Sequence, residues 1–279
     1  MNETPAWEDP RRVLSRYGLR AKRGMSQNFL TSRSAVEKIA EALRLAAGDP
    51  VVELGPGLGT LTATLLRHGA HVIALDADRD MLDVLDKEFG QLPALSARFG
   101  DATELDLAAL LPDAERVRVA GNLPYAVTGA IFRRLVEQHA RVLRAVLMVQ
   151  KEVRDRLIAD PGSKQYGALT VFTRGVFDVH SVCIVPAGAF HPPPRVDSAV
   201  VELVPCAQPI DVTDPTFVST VRSAFEARRK TLRNALQRSF DSARIDRALE
   251  ELSLDGKRRG ETLSGAEFSQ LAAALQRQA

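Results

Sequence analysis

The apolar residues in the first part of the chain form short runs that give way to polar residues. Four such runs cover residues 51–54, 71–75, 94–99 and 117–121. They are rich in Val, Ile and Leu and do not alternate regularly with polar residues, as is typical of strands covered by helices on both faces of a parallel sheet. The pattern therefore predicts an α/β fold.

A last strand pattern covers residues 197–203, and Pro205, Pro209 and Pro215 interrupt the chain beyond it. From residue 216 onward the apolar residues follow helical spacing. The length of 279 residues suits one α/β domain and a smaller addition. We predict a basic N-terminal extension over 1–25, a sheet domain over 26–205 and a helical domain over 206–279.

Three glycines at alternate positions, Gly55, Gly57 and Gly59, separate the first strand from a helical pattern. Glycines at such a turn let the backbone approach a ligand closely. Asp76 ends the second strand about 20 positions after Gly55, where an acid is placed to bind ribose hydroxyls. The spacing differs from the dinucleotide Gly-x-Gly-x-x-Gly motif, and no Lys-Ser/Thr follows, so a P-loop is unsupported. The pattern fits a ligand that has an adenosine part but no pyrophosphate.

Polar residues follow the other strands as well, with Asp101 after the third and Asn122 after the fourth. The carboxyl ends of parallel strands meet at one edge of a sheet, and ligands bind in the crevice there. We therefore expect Asp76, Asp101 and Asn122 to line one crevice.

The segment Asn122-Leu123-Pro124-Tyr125 carries the most specific chemistry. The Asn122 carboxamide oxygen and a main-chain carbonyl of Leu123 or Pro124 can accept both hydrogens of an exocyclic amine. Tyr125 can stack on the base that carries this amine. Asn and Pro are also common turn residues, so an ordinary strand-to-loop turn is the alternative for the isolated tetrapeptide.

Composition excludes several classes of protein. No apolar run reaches the roughly 20 residues that cross a bilayer, and the N-terminus lacks an apolar signal core. The two cysteines, Cys183 and Cys206, lack metal-ligand spacing, so we predict no metal site and a reducing, cytoplasmic location. The net charge of +2 permits nucleic-acid binding without arguing for it.

Basic residues cluster at three places, within residues 11–23, at 228–233 and at 257–259. Each cluster alone could be a solvated face, but three of them together suggest contacts with phosphates. Aromatic residues make up only 5% of the chain, too few for base stacking along a single strand. We therefore expect recognition of RNA shape and backbone, with one base extruded into the crevice. The predicted contacts are Arg20, Lys22, Arg23, Arg228, Arg229, Lys230 and Arg233.

Several segments carry a resemblance to known families. Residues 53–59 closely resemble the S-adenosylmethionine turn of class I methyltransferases, and with Asn122-Leu123-Pro124-Tyr125 they resemble the enzymes that methylate adenine N6. Gln27-Asn28-Phe29-Leu30 resembles the N-terminal motif of the ribosomal RNA adenine dimethyltransferases. Further segments are similar to the bacterial small-subunit (16S) branch of this family, namely 150–167, 190–198, 228–234 and 261–268.

The resemblance implies a Rossmann-like, mostly parallel sheet with an antiparallel last strand, followed by a small all-α domain. It implies transfer of four methyl groups from S-adenosylmethionine to two adjacent adenosines near the 3′ end of 16S rRNA, on an immature 30S particle. We expect a monomer. Alternatives are a 23S rRNA adenine methyltransferase, a DNA adenine methyltransferase and a ribosome-assembly factor that acts mainly by binding.

The resemblance also implies roles for individual residues. Gly55 and Gly57 would approach the methionine part of the cofactor, and Asp76 would bind its ribose. Asp101 would accept from the adenine amine, and Asn28 and Leu30 would close the pocket, with Asn122 contributing to both cofactor and substrate. Phe190, in a proline-rich loop, is our candidate for the second face of the target base, and a core phenylalanine is the alternative.

The chain departs from the family pattern at two positions. Asp76 stands where the family usually has Glu, and Ser26 stands where it usually has Gly. The shorter side chain of Asp76 still allows ribose binding, through closer approach or through a water molecule.

Overall fold

The structure is a computed structural model that describes residues 6–25 and 27–278, so Ser26 lies outside the described residues. In these ranges the strands are β1 (Phe29–Leu30), β2 (Pro50–Leu54), β3 (His71–Asp76), β4 (Leu95–Phe99), β5 (Val117–Asn122), β6 (Val142–Gln150), β7 (Phe177–Val185), β8 (Phe190–His191) and β9 (Ser198–Pro205).

Seven of these strands form one sheet within the described chain, in the order β4-β3-β2-β5-β6-β9-β7. The pairs β2–β3, β2–β5, β3–β4 and β5–β6 are parallel. Strand β9 pairs antiparallel with β6, which confirms the antiparallel last strand. Strands β1 and β8 form a separate antiparallel pair.

Helices connect most of the strands and make up most of the C-terminal part of the chain. Their bounds are α1 (Pro10–Tyr17), α2 (Arg33–Ala42), α3 (Thr60–Arg67), α4 (Arg79–Phe89), α5 (Leu107–Leu110), α6 (Thr128–Glu137), α7 (Lys151–Leu157), α8 (Ala168–Arg174), α9 (Pro215–Glu226), α10 (Leu232–Leu236), α11 (Ser242–Glu251) and α12 (Gly265–Arg277). Among the described residues, no helix combines the length and the apolar character needed to cross a bilayer.

Short local signals set where the helices near the predicted crevice begin. Helix α3 follows Gly59, whose φ of +79° is a left-handed conformation that favours glycine. Helix α4 follows Asp78, whose carboxylate accepts from the backbone N–H of Asp80 and caps the free amides of the first turn. Both helices therefore start at the carboxyl edge of the sheet, directly after β2 and β3.

The core explains why the strand runs contain few polar residues. Val51, Val52 and Leu54 of β2 are fully buried, and one apolar cluster joins the sheet to α2 and α3 through Val36, Leu65 and other residues. Burial of this kind stabilises a fold by about 25 cal/mol for each Å² of apolar surface removed from water. The positions of the strand ends are thus held by a closely packed interior.

The chain folds as two compact units, and their limits differ from the prediction. The first unit ends at Arg154 and resumes over Val179–Pro205, whereas the second comprises Asp155–Asp178 and the chain from Cys206 onward. The first unit finally ends at Pro205, where the sheet domain was predicted to end, whereas residues 155–178, which were predicted in the sheet domain, lie in the second unit. This segment joins the helical unit because the Tyr166 hydroxyl donates to the Leu263 carbonyl at 2.8 Å and the Phe172 ring lies 5.8 Å from that of Phe217.

Candidate functional site

A cavity of about 320 Å³ opens at the carboxyl ends of β2, β3 and β5, within the first unit. This is the edge at which open α/β sheets bind ligands. The predicted site residues that line it are Asn28, Leu30, Gly55, Gly57, Asp76, Asp101, Asn122, Leu123, Pro124 and Tyr125. The structure therefore brings together residues that are far apart in sequence.

The glycine turn forms one wall of this cavity. Gly55, Gly57 and Gly59 have φ angles of +67°, +55° and +79°, which side chains other than hydrogen rarely allow. A Cβ at Gly57 would lie 3.1 Å from the ring of Phe29, and one at Gly59 would lie 2.4 Å from Phe89. The turn consequently exposes main chain where a ligand needs close access.

Asp76, at the end of β3, faces the same turn. Its carboxylate accepts from the Gly57 N–H at 3.2 Å and from the Asp78 N–H at 2.8 Å. Burial raises the pKa of Asp76 even though both amide hydrogen bonds oppose that effect. Each carboxylate oxygen retains a further lone pair, so Asp76 can accept from ribose hydroxyls while it holds the turn.

Asp78 is already bonded to other residues of the chain. One of its oxygens accepts from Lys22 Nζ and the other from Gln27 Nε2, both at 2.7 Å. Burial alone would raise the pKa of Asp78, but the bonds from Lys22 and Gln27 hold it below its ordinary value. Asp78 therefore connects the segment before β1 to the start of α4. Of the two acids, Asp76 is the one available to a ligand.

Asn122 is held in a defined orientation at the end of β5. Its amide nitrogen donates to the main-chain carbonyl of Asn28 at 3.0 Å. The carboxamide oxygen is then left as the acceptor that Asn122 presents to the cavity.

The carbonyl groups after Asn122 differ in availability. The Pro124 carbonyl accepts from the Val127 N–H and from the Thr128 hydroxyl, both at 3.2 Å, and so both of its lone pairs are used. The Leu123 side chain is buried, and its N–H donates to Met148 in the neighbouring strand. Of the two predicted carbonyl acceptors, the one on Leu123 is therefore the better candidate.

Tyr125 is anchored by a residue that was not predicted. Its hydroxyl lies 2.7 Å from the Oγ of Ser198, which is fully buried at the start of β9. Burial of the hydroxyl raises the pKa of Tyr125, so the phenol stays neutral. Ser198 closes the proline-rich segment 190–198, and only its position opposite Tyr125 reveals its role.

Phe190 lies in the core, and its role as the second stacking partner stays a prediction. The side chain is 4% exposed and packs with Leu30, Val36 and Val185. Antiparallel pairing of β8 with β1 places Phe190 opposite Leu30 and turns it inward. It does not belong to the residues that line the cavity.

Comparison with known proteins identifies the family of this chain. The family model described as ribosomal RNA adenine dimethylase matches residues 18–277. The chain belongs to the ribosomal RNA adenine dimethylase family.

Individual members of the family and solved structures are similar over nearly the whole chain. The "Ribosomal RNA small subunit methyltransferase A" of Myxococcus xanthus (strain DK1622) is 46% identical over 275 residues, covering 96% of this chain and 95% of that protein. A dimethyladenosine transferase from Plasmodium falciparum is 26% identical, with a TM-score of 0.78 over 90% of this chain and 98% of that one. The 23S rRNA methyltransferase ErmE is also 26% identical, with a TM-score of 0.67 over 89% and 100%.

The cavity suits S-adenosylmethionine, the cofactor of this methyltransferase family. Asp76 ends β3 beside the glycine turn. Asp101 accepts from the Thr103 N–H through one carboxylate oxygen, and its second oxygen can accept from a ligand. Three acids line the cavity, whereas its described lining includes no Lys, Arg or His. This arrangement favours a ligand with positive charge, as the sulfonium and ammonium groups have.

Glu53 is a cavity residue that sequence reasoning missed, although it was part of the quoted glycine motif. It is 1% exposed at the carboxyl end of β2, and the Thr62 hydroxyl donates to it at 2.7 Å. Burial raises the pKa of Glu53 to about 8 against the opposing effect of the Thr62 bond, and Asp76 contributes in the same direction as burial. The available signal was an acid within an otherwise apolar strand run.

The predicted RNA contacts near the N-terminus divide into paired and unpaired side chains. Lys22 Nζ lies 2.7 Å from Asp78 and 2.6 Å from Asp80, so its charge is balanced within the protein. Arg16 is likewise paired, with Glu8 and Glu88. Arg20 is exposed and has no ionic partner among the described residues. The side chain of Arg23 lies outside what the structure describes.

The helical unit shows the same division. Arg228 pairs with Glu261 at 2.9 Å and Arg233 with Asp246 at 2.6 Å, whereas Arg229 and Lys230 are exposed without an ionic partner in the described chain. The Leu232 N–H donates to the Arg258 carbonyl at 2.6 Å, which places residues 257–259 beside the start of α10. Two basic clusters that are separate in sequence therefore adjoin.

Proposed function

We propose that this protein transfers methyl groups from S-adenosylmethionine to N6 of two adjacent adenosines near the 3′ end of 16S rRNA, giving N6,N6-dimethyladenosines. The orientation of Asn122 carries this proposal, because its amide nitrogen is bound to Asn28 and its oxygen remains for an exocyclic amine. The name of the Myxococcus relative supports the small ribosomal subunit as the target.

The cofactor supplies an activated methyl group, so the protein needs to align the acceptor nitrogen more than it needs a strong base. The lone pair of adenine N6 is delocalised into the ring. Hydrogen bonds from N6–H to the Asn122 oxygen and the Leu123 carbonyl favour a pyramidal nitrogen with a localised lone pair. These bonds strengthen as the nitrogen becomes cationic, so they act mainly on the transition state.

Tyr125 supplies the surface on which the extruded base stacks. The hydrogen bond between its hydroxyl and Ser198 fixes the tilt of the ring. Locking a ring in place before binding reduces the entropy lost when the base arrives. Ser198 is accordingly a positioning residue in this proposal, since it acts through Tyr125.

Dimethylation places different demands on the two acceptors. Unmodified N6 carries two hydrogens, which occupy both the Asn122 oxygen and the Leu123 carbonyl. The monomethylated nitrogen carries one hydrogen and needs only one acceptor, leaving space for the methyl at the other. The second transfer therefore depends on fewer hydrogen bonds than the first.

Exposed basic residues outside the cavity fit contacts with RNA phosphates. Arg20, Arg229 and Lys230 remain from the predicted set, and exposed Lys257 and Arg259 join them. The paired Lys22, Arg228 and Arg233 instead stabilise local structure. The substrate in this proposal is 16S rRNA within an immature 30S particle, and the enzyme acts as a cytoplasmic monomer.

The decisive experiment compares methyl transfer to immature 30S particles, naked 16S rRNA and 23S rRNA side by side. We expect the particle to accept close to four methyl groups, located by mass spectrometry on two neighbouring adenosines. Asn122→Ala serves as the inactive control on each substrate. Methylation of 23S rRNA alone would overturn the proposal, and particle binding without transfer would indicate an assembly factor.

A further inference from the structure

The charge of the cofactor cavity is one-sided. Glu53, Asp76 and Asp101 line it, and its described lining contains no basic side chain. Lys22, which approaches from the N-terminal segment, is bonded to Asp78 and Asp80 and does not belong to the lining. A negative charge in this cavity is therefore balanced by the bound ligand and not by the protein.

Glu53 has the least polar surroundings of the three acids. The positions that pair with it on the two neighbouring strands are Ala74 and Ala120, both fully buried. From α2 the cavity is lined by apolar Val36 and Ile39. Water therefore has little access to this carboxyl group.

The polar groups around Glu53 also lack a positive charge. From α3, the Thr62 hydroxyl donates to Glu53 Oε2 at 2.7 Å. The titratable cavity residues on the neighbouring elements are Asp76, which ends β3, and Asp101, which follows β4, while β5 contributes the uncharged Asn122. Burial raises the pKa of Glu53 to about 8, and these surroundings consequently favour the protonated carboxyl at neutral pH.

Methyl transfer changes the charge of the ligand in this cavity by one unit. S-adenosylmethionine carries a sulfonium cation, whereas the product S-adenosylhomocysteine carries a neutral thioether at the same place. Both have the same amino and carboxylate groups. A carboxyl in a poorly hydrated cavity responds strongly to such a change, because opposite charge nearby favours its ionised form.

We propose that Glu53 is the proton-linked group with which the cavity distinguishes the cationic cofactor from its neutral product. When S-adenosylmethionine enters, the O–H bond of the Glu53 carboxyl breaks and its proton passes to the solvent, leaving a carboxylate in the cavity that holds the cation. Once the cofactor has transferred its methyl group and become the neutral product, the carboxylate takes a proton back from water. No electrons are exchanged at Glu53, and the proton that it releases on cofactor binding is recovered after the transfer.

This inference rests on the cofactor, which the family establishes, and not on the identity of the RNA target. It predicts that preference for cofactor over product increases with pH, and that acid conditions increase product inhibition. Binding experiments without RNA separate it from the proposed function, because a failure in one leaves the other intact.

The first test is isothermal titration calorimetry at pH 7 in buffers of different ionisation enthalpy, which counts protons released on binding. We expect the wild-type protein to release a fraction approaching about one proton per S-adenosylmethionine and clearly less with S-adenosylhomocysteine. Glu53→Gln keeps a side chain of the same size that can bond to Thr62, but it has no proton to release. Equal proton counts for wild type and Glu53→Gln, or for the two ligands, would overturn the proposal.

The second test is the pH dependence of the two dissociation constants. Between pH 6 and 8, the ratio of product Kd to cofactor Kd should rise in the wild type by up to about tenfold per pH unit. In Glu53→Gln the ratio should be nearly flat. The amino groups of the ligands also titrate, but they contribute equally in both proteins, so the difference between the proteins reports Glu53.

Thr62→Val protects the test against a Glu53→Gln protein that does not fold. This nearly isosteric change removes the hydrogen bond that stabilises the Glu53 carboxylate while Glu53 itself stays. The midpoint of the pH dependence should then move to higher pH by about half a unit or more. A normally folded Thr62→Val protein with an unchanged midpoint would show that Glu53 is not the titrating group.

Discussion

The two ends of the same sheet differ in whether their charged side chains have partners of opposite charge within the protein. Near the amino ends of β5 and β6, Arg118 pairs with Asp49 at 2.9 Å and Arg144 pairs with Glu202, all largely buried. At the carboxyl ends, acids line the cavity without a basic side chain among the described lining residues. Charges that are balanced within the protein hold the sheet together, whereas the unbalanced ones are available to a ligand.

The largest effect should come from breaking a balanced pair. Glu202→Ala leaves Arg144 partly buried and without its main counter-charge, which should reduce the free energy of unfolding by about 3–5 kcal/mol. Urea denaturation measures this loss. The matched control is Glu137→Ala, which removes a more exposed pair with Arg134 and should cost about 1 kcal/mol or less. Similar losses in the two variants would remove the distinction between the ends of the sheet.

At the cavity end, Asn122→Ala should impair turnover more than folding. Loss of the oriented amide oxygen should lower kcat by a factor of about 10² or more, because in our proposal this acceptor acts mainly on the transition state. Cofactor affinity should change little, as measured by calorimetry, and Gln91→Ala provides an exposed amide as a control. An equally large loss of cofactor binding would make Asn122 mainly a cofactor ligand.

Asp76→Ala, in contrast, should impair cofactor binding more than turnover at saturating cofactor. Removing the carboxylate deletes the hydrogen bond to the Gly57 N–H and those that we propose to the ribose, and should weaken S-adenosylmethionine binding by about 1.5–3 kcal/mol. Calorimetry gives the affinity, and a thermal melt of the cofactor-free protein checks the fold. Because Asp78 is bonded to Lys22 and Gln27, it should not compensate. Unchanged affinity would place the ribose elsewhere.

The smallest effect is expected in the helical unit, where basic residues are also either paired or unpaired. Replacing Arg229 and Lys230 with Ala should weaken particle binding and reduce its log–log salt slope by up to about 2, since each phosphate contact contributes about 0.9. The melting temperature should not change. The matched variant replaces the paired Arg228 and Arg233, and it should lower the melting temperature with less effect on the slope. The opposite result would show that pairing does not decide which basic residues meet RNA.

Much of the sheet could be predicted because each strand run is local and stops at a polar residue. The ends of β3 and β5 were placed at Asp76 and Asn122, as found. The apolar run that forms β6 was not assigned, because a short buried run does not by itself distinguish a strand from a helix. The segment 155–178 was assigned to the sheet domain because its partners in the second unit, such as Leu263, lie far along the chain.

Within the site, local motifs identified residue types but not their orientation. Phe190 follows a small residue and precedes three prolines, a context that suggests an exposed loop, yet pairing with Leu30 turns it into the core. Ser198 and Glu53 were overlooked for the same reason. Their roles depend on Tyr125, Ala74 and Ala120, which other strands place beside them.

The sequence alone determined the family, the glycine turn, the acid at the end of β3 and the amide-proline-aromatic segment, because each is a short pattern with its own backbone requirement. The tertiary structure alone decided which charges are balanced and which face the cavity. The composition of the chain and the spacing of its charged residues are the same whether or not a partner of opposite charge lies nearby in the fold. The partners, from Lys22 with Asp78 to Arg144 with Glu202, meet only when distant elements pack together.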